Sequence, residues 1–99
     1  MQSKSLTKAD KRRFEQLQEM GCCVCLIHYG EFRPCDIHHI DGKTKPGAHQ
    51  KTIGLCNPGH HMNGSDKLPF ISRHPYKARF EAAYGTELEL LIQVEDLLK

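Results

Sequence analysis

The pair Cys22-x2-Cys25, answered later in the chain by Cys56-x3-His60, constrains this sequence more than any other feature. Two donors on each of two turns can meet as a tetrahedron, and thiolate plus imidazole suits Zn²⁺. A metal closing so long a loop would be a main source of stability. Such help is needed, because 99 residues with no Trp and seven aromatics give a marginal core. The alternative is that several of these cysteines are small buried apolar residues. A lone Cys-x2-Cys would leave that open, and the second pair at this spacing argues against it.

There are five cysteines, and three crowd into Cys22-Cys23-Val24-Cys25, too close to bridge readily. The first residues are polar and charged and do not read as a secretory leader. We therefore expect a reducing cytoplasm and a structural Zn²⁺ in place of disulfides. Cys35 is near enough in sequence to be a substitute ligand, and Cys23 reads as packing. No apolar run approaches a membrane span, so no membrane partner is expected.

Length makes the chain a single domain, residues 1–99. Residues 1–20 form a basic helical segment. Thr7 is its N-cap with Asp10 reaching back, Phe14, Leu17 and Met20 are its apolar stripe, and Gly21 closes it. Lys8, Lys11, Arg12 and Arg13 either stay solvated or touch a nucleic-acid backbone. Residues 21–68 read as a zinc knuckle, Cys22 to Tyr29, and a small core. The core has a strand over Phe32 to Ile40, a second over Lys51 to Cys56, and a short helix over His60 to Lys67. Asp41-Gly42 and Pro46-Gly47 mark loop turns. Residues 74–99 hold two helices that look structural. One opens at His74-Pro75 and ends at Gly85. The other has the capping box Thr86-Glu87-Leu88-Glu89 and an apolar stripe of Leu90, Leu91, Val94, Leu97 and Leu98.

Charge is distributed unevenly. Residues 21–80 carry eight Lys/Arg against four acids, whereas residues 81–99 carry one Lys against five. The cationic part coincides with the Cys/His part, as expected if that part meets phosphates. Ordinary surface charge would look the same. Lys43, Lys45, Lys51, Arg73, Lys77 and Arg79 are candidate backbone contacts that would hold phosphates without reading bases.

His38-His39 is harder to explain by packing. Neighbouring strand residues point to opposite faces, so paired histidines seldom serve one purpose. At a strand end they can divide labour: one imidazole binds a metal and the other takes a proton from water. A reference pKa of about 6.5 leaves the second a neutral base near neutral pH. In His60-His61, His60 would face the structural zinc and His61 would reach a second metal beside His38.

These residues, in this order, resemble an HNH nuclease. That family's core is two antiparallel strands and a helix around one divalent metal, the ββα-metal or His-Me finger arrangement. The resemblance implies an α+β fold with a zinc-stabilised core, an N-terminal helix and two C-terminal helices. The family's strand ends in a ligand followed by the base, like His38-His39. Its helix begins with Leu-Cys-x2-Cys-His, which resembles Leu55-Cys56-Asn57-Pro58-Gly59-His60-His61 with one extra residue and His for the second Cys.

The stretch is more closely similar to small phage recombination-enhancement (Ref-like) proteins. The shared features are Gly21-Cys22-x2-Cys25, Ile37-His38-His39-Ile40, Thr52-Ile53-Gly54-Leu55-Cys56 and the trailing Lys77 to Glu87, about residues 20–90. That last motif reads as chemically silent. The resemblance implies endonucleolytic cleavage of DNA, dependence on a recombinase (RecA) filament, and the bacterial host cytoplasm if the chain is phage-encoded. The middle Asn of the HNH pattern is absent, and the neighbourhood reads His49-Gln50-Lys51-Thr52. His49 either takes the middle role, orienting the base or the phosphate, or is a loop histidine without function. His74 is a further ligand, a phosphate contact, or a capping and packing residue.

The leading reading is metal-assisted phosphodiester hydrolysis. His38 and His61 hold a divalent cation (Mg²⁺ or Mn²⁺, with Zn²⁺ as an alternative), and His39 acts as general base. A non-catalytic zinc module that binds DNA or a protein is the first rival, and it leaves His38, His39 and His61 idle. A zinc hydrolase of small substrates is the second. It lacks His-Glu-x-x-His, and no Glu stands beside the His pairs in the sequence.

Overall fold

Thr7 accepts a hydrogen bond from the Asp10 amide while Asp10 accepts one from Thr7, so the first helix starts where its capping box puts it. The computed structural model describes residues 6–40, 42 and 47–99. Its elements are α1 (Lys8–Met20), α2 (Cys23–Tyr29), β1 (Asp36–His39), a 3-10 turn (Ala48–Gln50), β2 (Thr52–Leu55), α3 (Lys77–Tyr84) and α4 (Glu87–Leu98). The fold is α+β, as expected. Asp41 and Pro46, from the two loop turns, lie outside the described residues, as do Lys43 and Lys45.

The strands pair antiparallel, with Ile37 opposite Gly54, His38 opposite Ile53 and His39 opposite Thr52. All four β2 residues are buried because α1, α2 and α4 pack around that strand. Leu17, Val24, Ile53, Leu55, Phe80, Leu90 and Val94 form the centre of the core. Strand alternation then sorts the ribbon by face. Asp36 and His38 share one face, and Ile37 and His39 the other. Gly54 has to be glycine: a Cβ there would lie 2.6 Å from Cys35 Sγ and 2.7 Å from the Gly21 carbonyl.

Several expectations need correcting. The segment beginning at Cys22 is a short helix, not a tight knuckle. Cys22 caps it, Gly30 ends it at φ 65°, and the helical i, i+3 spacing places Cys22 and Cys25 on one side. Residues 60–67 form turns and no helix. The His60 and His61 carbonyls accept from the Arg73 and His74 amides, while the Gly64 and Ser65 amides donate to Ser72 Oγ and the Phe70 carbonyl, so the helical ladder never starts. Asn63 then adopts a left-handed backbone at φ 61°. The third helix begins at Lys77 with Tyr76 as its cap, not at Pro75. Leu97 leaves the apolar stripe of α4 and is exposed.

Arg13 is the largest departure on α1. It is buried, not solvated: Nε donates to Thr52 Oγ1 at 3.0 Å, Nη2 to the Thr52 carbonyl at 2.8 Å, and Nη1 to Glu95 at 2.6 Å. One guanidinium therefore ties α1 to β2 and α4. Charge-assisted bonds of this kind contribute about 1.5–3 kcal/mol when one partner is buried. The Glu95 end is half exposed and is worth under about 1 kcal/mol. In denaturant titration of the metal-loaded protein, Arg13→Ala is expected to cost about 2–3 kcal/mol and Glu95→Gln under about 1 kcal/mol. Equal losses would mean that the Thr52 bonds carry nothing.

Candidate metal centres

Helix α2 brings Cys22 and Cys25 against the turn after β2, which carries Cys56 and His60. One donor atom from each of the four lies within 4.8 Å of the others, and all four residues are buried. Zinc bonds of about 2.3 Å to sulfur and about 2.0 Å to nitrogen, at tetrahedral angles, separate two sulfurs by about 3.8 Å and sulfur from nitrogen by about 3.5 Å. Here Cys25 and Cys56 Sγ are 3.9 Å apart, and His60 Nδ1 lies 3.5, 3.5 and 3.3 Å from Cys22, Cys25 and Cys56. The donor set thus has the spacing a tetrahedral zinc requires, and these four side chains can hold such a metal.

The surroundings support that role. His60 Nε2 donates to the Pro69 carbonyl at 2.7 Å, which fixes the tautomer and leaves Nδ1 to the sulfurs. Tyr29, Phe70 and Tyr84 pack their rings around His60. Hydrogen bonding from Cys22 and the contacts of His60 hold the Cys56 thiol down to about 4 despite burial. Burial pushes the Cys25 thiol up to about 11, and the bond to Cys56 together with burial raises Cys22. One thiolate is favoured before metal arrives, and a cation is what would ionise the other two.

Cys35 does not join this set. Its thiol donates to the Leu17 carbonyl at 3.5 Å and packs against Gly54. Cys23 is buried, with its thiol pushed up to about 12 by desolvation, as a packing residue should be.

A second group lies on the other side of the His60-His61 pair. The Arg73 amide bonds to the His60 carbonyl and the His74 amide to the His61 carbonyl, at 2.8 and 3.0 Å. These bonds place His61 and His74 side by side. His38 reaches them from β1, and one ring nitrogen from each of the three lies within 4.8 Å of the others. Ring centroids stand 5.2–5.4 Å apart in all three pairs. Desolvation, then the nearby charge of Arg73, lowers the His74 pKa and favours the neutral form that binds metals.

Three residues were not anticipated. Asp36 accepts hydrogen bonds from His61 Nδ1 at 2.9 Å and from Asn57 at 3.0 Å. Asp36 precedes His38 by two in a strand, so alternation alone places it on the same face. Glu87 comes from α4 and is hydrogen bonded to His38 Nε2. Arg73 Nε lies 3.0 Å from the same carboxylate, in ion-pairing range though off the hydrogen-bond direction. Burial pushes the Glu87 carboxyl up, but His38 and Arg73 outweigh it and hold it down to about 2. A Glu therefore does stand beside a His pair, in space. Arg73, expected on a phosphate, is engaged inside the protein. Tyr84 is the third, and it sits with Glu87 in the motif that looked chemically silent.

His39 turns away from His38, as strand alternation requires. Its Nε2 is 3.0 Å from His49 Nδ1, and Phe14 of α1 lies edge-on to both rings. Lys77 and Arg79 are exposed on α3, and Lys51 is exposed before β2.

The pattern of the recombination enhancement, RecA-dependent nuclease family matches residues 6–99. The chain belongs to that family. Membership agrees with the recombination-enhancement resemblance over about residues 20–90 and extends it over the N-terminal helix and the rest of α4. No described helix of this family member is long and apolar enough to cross a membrane.

Metal analysis tests the four-donor set. Purified protein is expected to hold at least one zinc per chain. Cys56→Ser and His60→Ala should lose it together with the cooperative thermal transition, whereas Cys35→Ser should keep both. A strongly chelated chain that still unfolds cooperatively would contradict a structural metal.

Proposed function

We propose that this family member is an HNH-type DNA endonuclease that hydrolyses phosphodiester bonds with a histidine general base and one divalent cation. The observation that carries the reading is the convergence of His38, His61 and His74 beside a separate four-donor zinc set. A structural zinc module alone has no use for the second group.

In this reading His38, His61 and His74 hold Mg²⁺, Mn²⁺ or Zn²⁺. The cation, when bound, neutralises charge on the phosphate and the leaving oxygen. His39 takes the proton of the attacking water. His49, whose Nδ1 lies 3.0 Å from His39 Nε2, is the partner that orients the base. That gives His49 the middle role of the HNH pattern. Lys51, Lys77 and Arg79 would hold backbone phosphates. Family membership supports DNA within a RecA filament as the substrate.

The test is plasmid nicking in added Mg²⁺, Mn²⁺ or Zn²⁺, on naked and on filament-coated DNA. His39→Ala is expected to lower cleavage by roughly 10²–10⁴-fold while keeping the structural zinc and the thermal transition. His49→Ala should cost less, and His61→Ala should lose the second ion. Undiminished cutting by folded His39→Ala would refute the base. A parent protein that never takes up a second ion and never nicks DNA would favour the binding-module alternative.

A further inference from the structure

Glu87 has no part in the chemistry proposed above, yet it is buried and hydrogen bonded to one of the proposed ligands. A carboxylate buried to this degree needs partners, because nothing else replaces the water it has lost. Its partners are His38 and Arg73, and both are largely buried themselves. The carboxylate belongs to the first residue of α4, directly after the Thr86 cap, where the helix N-terminus also favours negative charge. Helix and guanidinium together hold the carboxylate on one ring nitrogen of His38.

We propose that Glu87 is a positioning residue. Resting on the nuclease reading, it fixes the His38 ring and its tautomer, protonated at Nε2, so that Nδ1 is the nitrogen offered to the cation. Metal-binding imidazoles commonly give their other N–H to a carboxylate, and loss of that carboxylate typically weakens metal affinity 10- to 100-fold. His61 is built the same way from the other side, with Asp36 on its Nδ1 leaving Nε2 free. Asp36 is half exposed and shared with Asn57. Glu87, buried and braced by Arg73, is the firmer of the two supports.

The experiment uses the full chain loaded with structural zinc and titrated with Co²⁺, comparing the parent with Glu87→Gln and Glu87→Ala. Calorimetry reads affinity at the second site, visible absorption reads the ligand field, and long-range ¹H–¹⁵N spectra read the His38 ring nitrogens. The expected result is a Co²⁺ affinity about 10-fold weaker in Glu87→Gln and up to about 100-fold weaker in Glu87→Ala, with structural zinc retained. The absorption spectrum at saturation should be unchanged, because the ligands are the same. In the parent, His38 should carry its proton on Nε2. If either variant fails to fold, the ring spectrum of the parent still decides: a His38 protonated on Nδ1 overturns the proposal. Affinities within twofold of the parent overturn it as well. A changed spectrum at saturation would make Glu87 a ligand and not a support. A parent chain that binds no second ion overturns the nuclease reading itself and this inference with it, whereas failure in the variants alone spares that reading.

Discussion

The constraint that organises this fold is the meeting of Cys22, Cys25, Cys56 and His60, four buried donors spaced to hold a metal. In so short a chain, with a two-stranded sheet among the described residues, a metal would add to the modest apolar contact between α2 and the turn after β2. The four donors join those segments at the spacing of a tetrahedral metal. Because His61 follows His60 directly, the same knot also delivers the second histidine group. The structural centre and the proposed catalytic centre share one backbone turn.

That sharing explains why residues 60–67 are irregular. A helix there would have spent the His60 and His61 carbonyls on the Gly64 and Ser65 amides. The Arg73 and His74 amides take those carbonyls instead. His74 enters the group through this pairing. A local helix was traded for a contact across thirteen residues of chain.

What could be read from the sequence was short-range. The caps at Thr7 and Thr86, the Cys-x2-Cys spacing and the alternation of His38 and His39 each depend on a few adjacent residues. The four residues whose donor atoms meet were legible for that reason. Glu87, Tyr84 and Arg13 were not, because their partners lie on other elements: Glu87 meets a histidine 49 residues away, and Arg13 meets Glu95 across 82. Charge misled in the same way. Arg13 and Arg73 looked like surface cations and are internal braces. The motif from Lys77 to Glu87 looked silent because its chemistry is spent on other segments, Tyr84 against His60 and Glu87 against His38.

Gly54 turns a matter of packing into one of identity. Its missing side chain lets Cys35 and the Gly21 carbonyl close on the ribbon, opposite the residue just before His38. A strand that slips by one position does not merely lose contacts; it exchanges its two faces. Here such a slip would turn His39 toward His61 and His74, and His38 toward His49. The proposed assignment of ligand and base is thus a parity, set by which face each histidine occupies, and a bare backbone atom guards it.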